Sequence, residues 1–278
     1  KGPTILYGDG LFGGNRLMSD MVDKPIGRIL ISNDDGIDAT GIAILREIAS
    51  HLCDDIWVIA PSENRSGASR SITLRRDVVI EEMAPKTFKC SGTPSDCIIF
   101  GMSQILDFPP NLVLTGINHG MNVADDILYS GTVAGAMEAS LLGVPAISLS
   151  QRYSRDDLID YAASSLYGTK VIRHILNMGI PQRTVMNVNF PTTKPTEIKG
   201  MKAAYLDRHK LGDVIVSGEV PNHYRLGPLH SDPKTSPGSD RAVLNDGWIS
   251  LTPLMMDVTS HHILDQVTLL DFSASKQN

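Results

Sequence analysis

An apolar run, Ile29-Leu30-Ile31, ends in Ser32-Asn33-Asp34-Asp35-Gly36, and one helix-length segment separates it from a second run, Asp55-Ile56-Trp57-Val58-Ile59-Ala60. In that segment Ile42, Leu45, Ile48 and Leu52 recur at helical spacing. Strand, helix and strand within about 30 residues make a βαβ unit. The pattern continues along the chain. Leu112-Val113-Leu114-Thr115, Ala146-Ile147-Ser148-Leu149 and Val185 to Phe190 read as buried strands. Helices are expected from Thr93 to about Leu106, from Thr132 to Leu142 and from Arg155 to Met178, and a hairpin over Val78–Met83 and Thr87–Ser91. Thr93 and Pro94 make a helix start, and Gly143 and Gly179 make helix stops. Strands alternating with helices define an α/β chain with a doubly wound, mostly parallel sheet.

The 278 residues are enough for one large core. No apolar stretch reaches the roughly 18 residues that would span a bilayer, so no membrane partner is expected. A formal charge of -6 argues against binding a nucleic acid polymer, which calls for a basic stripe. Cys53, Cys90 and Cys97 are too few and too scattered for a disulfide framework or a zinc site, and they suit a reducing cytoplasm. Residues 1–27, rich in Gly and Asp and lacking a signal-peptide core, read as a mobile N-terminal extension. Residues 28–200 form the expected core. From about Pro191 the strands shorten, Pro and Gly become frequent, and 221–246 holds few apolar residues. Residues 201–278 therefore read as an extended C-terminal arm that needs a partner surface, which makes a homo-oligomer the economical expectation.

Chemistry concentrates where strands end. Neighbouring side chains on a strand point to opposite faces, so Asp34 and Asp35 can converge on one ion only beyond the strand, and Gly36 permits that bend. Two carboxylates suit a hard ion such as Mg²⁺, Mn²⁺ or Ca²⁺. A helix cap and a solvated turn would use the same residues. Three more polar segments follow strands: Pro61 to Ser69, Thr115 to Asn122, and Tyr129-Ser130-Gly131-Thr132, the last opening a helix that can receive an anion. In a parallel sheet all four should border one cleft, equipped for a metal facing a phosphate. No GxGxxG follows the first strand, and neither GxxxxGK[ST] nor GxSxG is present. Gly36 stands where a DxD nucleophile motif would place its second Asp, which favours attack by metal-activated water over a covalent carboxylate intermediate.

Five ordered runs carry a family resemblance: SNDDG at Ser32, APSENRSGAS at Ala60, GTPSDC at Gly92, TGINHGMN at Thr115 and YSGTVAGAMEA at Tyr129. With their spacing, extending to the GWISLTPL run ending at Leu254, the chain resembles the SurE survival protein family of metal-dependent 5'/3'-nucleotidases. The resemblance implies a Rossmann-like core and a C-terminal segment exchanged between subunits in dimers or tetramers. It implies one divalent ion per subunit, Mg or Mn, on Asp34, Asp35, Ser66 and Asn118. It further implies a phosphate pocket of Asn122, Ser130, Gly131 and Thr132 with Ser69 nearby. Catalytic roles fall to Asp35, Asn122 and Ser130, with Asp35 the candidate to orient the attacking water. The implied substrates are nucleoside 5'- and 3'-monophosphates, and in some members short polyphosphate.

Two features depart from the family pattern, Arg70 in the second loop and the leader. His119 reads as an exposed loop residue, His261-His262 as peripheral, and Asp240 as a tie between the arm and a neighbouring subunit. A nucleotide or metal sensor that binds without turnover would present the same cleft.

Overall fold

In the computed structural model, which describes residues 26–153, 159–264 and 267, nine strands form one sheet. The first described strand lies near its centre. Strand β1 (Ile29–Ser32) leads to helix α1 (Thr40–Ser50) and strand β2 (Ile56–Pro61), with Ile31 opposite Val58 in parallel register. The hairpin β3 (Ile80–Ala84) and β4 (Thr87–Cys90) extends this side, β4 running parallel to β2. Helix α2 (Pro94–Phe100), prolonged by a wider π-helical turn (Gly101–Ile105), then returns the chain to the other side of β1. There β5 (Leu112–His119) pairs with β1, Ser32 opposite Thr115. A 3-10 turn (Ala124–Leu128), α3 (Gly131–Leu141), β6 (Ala146–Gln151), α4 (Ala162–Met178) and β7 (Thr184–Phe190) complete the parallel part.

The sheet order is β3-β4-β2-β1-β5-β6-β7-β11-β8. The chain moves outward from β1 to β2 and then reverses to β5, so the crevice beyond the carboxyl ends of β1 and β5 is the switch point where ligands bind in open α/β sheets. Alternation along β1 divides the core. Ile29 and Ile31 pack with Leu45 and Ile48 of α1 and Ile172 and Ile175 of α4. Leu30, between them, packs with Ile98 of α2 and Val133 of α3 on the opposite face. Helix α3 is buried almost all round, which explains its small residues.

The described part begins inside the body. Ile26 is 7% exposed and packs in the α1 side of the core, Gly27 is exposed, and residues 1–25 lie outside the described residues. The expected start of α4 near Arg155 partly does too, because 154–158 are not described. The expected loop from Gly116 is in fact strand as far as His119. Thr115 pairs with Ser148 but Asn118 with Ser150, so three residues advance against two, and the bulge lets the strand continue past its glycine.

The C-terminal third is more integrated than composition suggests. Strands β8 (Met201–Ala203) and β11 (Ile249–Met255) join the main sheet, β11 antiparallel to β7, and helix α5 (Asp240–Asn245) packs on β11. Only β9 (Lys210–Ser217) and β10 (Tyr224–Ser231) form a separate two-stranded ribbon. Leu211, Ile215, Tyr224 and Leu226 on it are exposed. Cys53, Cys90 and Cys97 are buried and unbridged. Among the described residues no helix is long and apolar enough to cross a membrane.

Candidate active site

The turn after β1 is shaped by its own asparagine. Asn33 Nδ2 donates to Gly36 O (2.8 Å), while Gly36 N donates to Asn33 Oδ1 (3.2 Å). Gly36 has φ +105°, a conformation that L side chains rarely adopt. The loop after β2 docks onto this turn through Arg65 N, which donates to Asp34 O (2.7 Å), and Ile37 N, which donates to Pro61 O (2.9 Å).

Asp34 is 4% exposed and lies against the start of α3. Thr132 Oγ1 donates to Asp34 Oδ1. A Cβ on Gly131 would lie 2.6 Å from Asp34 Cβ, so only glycine lets the helix approach this closely. Burial pushes the Asp34 carboxyl up from 3.8 to about 6; the Thr132 hydroxyl opposes the shift and the Asp35 charge adds to it. Asp35 is half-buried, its Oδ2 accepting from His119 N (3.0 Å) at the end of β5. Burial raises its pKa, against the His119 N–H and charge. No cationic side chain among the described residues forms an ion pair with either aspartate.

A cavity of about 470 Å³ opens here, lined by Asp34, Ser66, Asn118, Asn122 and Ser130 among others. Asn118 Nδ2 donates to Gly120 O (2.9 Å), which leaves its carbonyl oxygen as the unspent acceptor. Ser130 is the N-cap of α3, its Oγ accepting from Val133 N (3.0 Å). Asn122 is 6% exposed, and its Nδ2 donates to Ser150 Oγ (2.8 Å). Its backbone is gripped by two further asparagines: Asn122 N donates to Asn189 Oδ1 (2.7 Å), and Asn187 Nδ2 and Asn189 Nδ2 both donate to Asn122 O. Ser148 Oγ in turn donates to Asn187 Oδ1 (2.9 Å). The sequence signal for this buried network is alternation, polar residues two apart in otherwise apolar strands: Ser148 and Ser150, Asn187 and Asn189.

Several expected residues stand elsewhere. Ser69 does not line the cavity; its Oγ donates to Leu128 O (2.6 Å) and its N–H to Tyr129 O (3.1 Å), tying the second loop to the 3-10 turn. Thr132 spends its hydroxyl on Asp34, and neither it nor Gly131 lines the cavity. Arg70 is exposed, and its charge acts on Glu138 of α3. Within GTPSDC, Asp96 closes the capping box with Thr93 and accepts from Thr73 N and Oγ1, a structural task. His119 is exposed and edge-on to Tyr153, and the two line the cavity together. His261 faces Asp257 at 2.7 Å, away from the cavity.

Asp240 has an intrachain role, correcting the expectation of a tie to a neighbour. Fully buried, it accepts from Ala124 N (2.8 Å) through Oδ2 and from Asp207 N (3.1 Å) through Oδ1, holding the 3-10 turn that carries the cavity wall. The root of the ribbon adds His209 N and Lys210 N to Asp125 Oδ2, and Lys210 Nζ to Tyr129 Oη (3.0 Å). Tyr129, from a segment expected to border the cleft, lies on this wall with Asp126, and Asp126, Arg152 and Tyr153, the last two beyond β6, were not anticipated in the lining.

Comparison with known proteins agrees with this fold. The family described as survival protein SurE matches residues 29–213. A protein of Afipia carboxidovorans named 5'-nucleotidase SurE is 37% identical over 255 residues, covering 87% of this chain and 98% of that one. One of the same name from Rhodopseudomonas palustris is 41% identical over 241 residues, covering 84% and 94%. The crystal structure of the SurE protein from Aquifex aeolicus superposes with a TM-score of 0.77 at 32% identity, covering 86% of this chain and 98% of that one.

Proposed function

This chain belongs to the survival protein SurE family, and from that premise we propose that it is a phosphatase that hydrolyses nucleoside 5'-monophosphates in the cavity bordered by β1, β5 and α3. The observation that carries the reading is the company Asp34 keeps. A buried carboxylate with no ion-pair partner among the described residues faces a cavity whose lining includes the neutral oxygens of Ser66 and Asn118. Such a set suits a hard divalent cation, which would neutralise the two aspartates and leave positions open for water and substrate. Asp34, Asp35, Ser66 and Asn118 would hold one Mg²⁺ or Mn²⁺ per subunit. When bound, such an ion polarises phosphoryl oxygens and lowers the pKa of its water.

The remaining residues orient the substrate. Asn122, fixed by Ser150, Asn187 and Asn189, and Ser130 at the first turn of α3 present donors to a phosphate, and the helix N-terminus favours the anion. Asp35, whose Oδ2 accepts from His119 N at the end of β5, would be the group to orient the attacking water. The same site would accept 3'-monophosphates and short polyphosphate, since it grips the phosphoryl end of the substrate. Apolar side chains exposed on the β9–β10 ribbon support homodimers or homotetramers assembled through it.

The test is phosphate release from nucleoside 5'-monophosphates, 3'-monophosphates and tripolyphosphate with Mg²⁺, with Mn²⁺ and with chelator. Metal-dependent release from 5'-monophosphates supports the reading. Tight nucleotide binding without release would instead make the protein a sensor.

A further inference from the structure

One cation faces the same cavity from outside the set just assigned. Arg152 directly follows β6, and its N–H donates to Phe190 O (3.0 Å). Asn118 lies opposite Ser150 and His119 opposite Gln151, so the next step of the register sets Arg152 beside Gly120, between Asn118 and Asn122 in the chain. Paired strands are about 5 Å apart, which puts the backbone of Arg152 next to the segment bearing both asparagines. Asp34 and Asp126 are the acidic residues of the lining, and among the described residues Arg152 is its only arginine or lysine.

The side chain is half-buried, and no carboxylate among the described residues pairs with it. Its Nη1 donates to Asn245 Oδ1 (2.7 Å) on α5. Burial and the nearby Arg241 guanidinium both push its pKa down. A guanidinium has five N–H donors, and a single amide oxygen leaves most of them unused. A half-buried charge compensated only by a neutral amide calls for an anion.

We propose that Arg152 contacts the substrate, its guanidinium pairing with the phosphoryl oxygens of the nucleotide. The inference rests on the reading above for the identity of that anion. A phosphate monoester brings a charge of about −2 at neutral pH. One divalent ion offsets Asp34 and Asp35 and leaves the phosphate uncompensated. Asp126 is faced by His209 Nε2 at 3.1 Å and gives the phosphate no relief. Arg152 is then the fixed cation available, and its planar fork matches two phosphoryl oxygens where a point charge would not.

The two products test this without turnover. Inorganic phosphate and adenosine are each titrated, by calorimetry and thermal shift, into wild type, Arg152→Gln, Arg152→Lys and Asn245→Ala, with and without Mn²⁺. Arg152→Gln should weaken phosphate binding about tenfold or more, the loss expected for a charge-assisted contact, while adenosine changes less than about threefold. Arg152→Lys should fall between. Asn245→Ala, at an exposed position, should bind phosphate like wild type.

The proposal is overturned if phosphate fails to bind wild type, or if Arg152→Gln binds it equally well. It is also overturned if both ligands weaken alike, or if Asn245→Ala reproduces the loss, since either result makes Arg152 a strut. Phosphate release by wild type alongside such a result leaves the phosphatase reading intact. Selective loss of phosphate binding in a protein that releases none would overturn the phosphatase reading and retain Arg152 as the phosphate contact.

Discussion

Asp34→Asn should stabilise the chelated protein while abolishing its activity. The folded carboxyl titrates near 6 rather than 3.8, so between these values the folded state binds the proton that the unfolded state has already lost. Stability in this interval therefore falls as pH rises, being fully present below the unfolded value and lost above the folded one. The gap of about two units corresponds to roughly 3 kcal/mol. At about 2 °C per kcal/mol for a chain of this size, that is roughly 6 °C in Tm.

Asparagine keeps an oxygen to accept from Thr132 and carries no charge to desolvate, so its variant should lack this pH dependence. The assay is urea denaturation in chelator at pH 5 and pH 7.5, read as the difference between wild type and variant so that other titrations cancel. The variant should gain on wild type at pH 7.5 relative to pH 5. Added Mn²⁺ should close the gap by stabilising wild type alone. Equal pH dependence of the two proteins would refute the argument that burial of an uncompensated carboxylate dominates at Asp34.

Gly131→Ala would set a methyl group 2.6 Å from Asp34 Cβ; it should cost about 1–3 kcal/mol and sharply reduce Mn²⁺ affinity, measured by denaturation and calorimetry. Asp240→Ala leaves Ala124 N and Asp207 N without their acceptor, so it should cost roughly 2–4 kcal/mol and raise KM more than it lowers kcat, because Asp126 and Tyr129 lose their anchorage. Replacing Lys210–Ser231 by a short glycine-rich turn should yield a monomer by light scattering; a wild-type monomer at micromolar concentration would count against assembly through the ribbon.

The sheet was legible because its strands are short apolar runs with a single period, and because Asp34 and Asp35 sit where such a run stops. What escaped was set by contacts distant in sequence. Nothing local marks Thr115–Asn118 as a bulge, since it exists only through pairing with β6. Ser69 and Thr132 have the chemistry of phosphate ligands, yet Ser69 binds a carbonyl 59 residues away and Thr132 a carboxylate 98 residues away. Asp240 reads as a tie between the arm and a neighbouring subunit, but three backbone N–H groups of its own chain converge on it inside the body. Arg152 follows an apolar strand with no motif around it, and only the alignment of β6 with β5 brings it to the cavity. Asn187 and Asn189 were readable in principle, because alternating asparagines in a buried strand need partners.

Phosphate release from AMP by chelated protein, followed as Mg²⁺ or Mn²⁺ is titrated back into wild type and Asp35→Asn, tests the assignment of this cavity most directly. Release from wild type should rise from background and saturate with metal, while the folded variant stays at background throughout. Release that persists in chelator, or a variant that recovers with metal as wild type does, would contradict it.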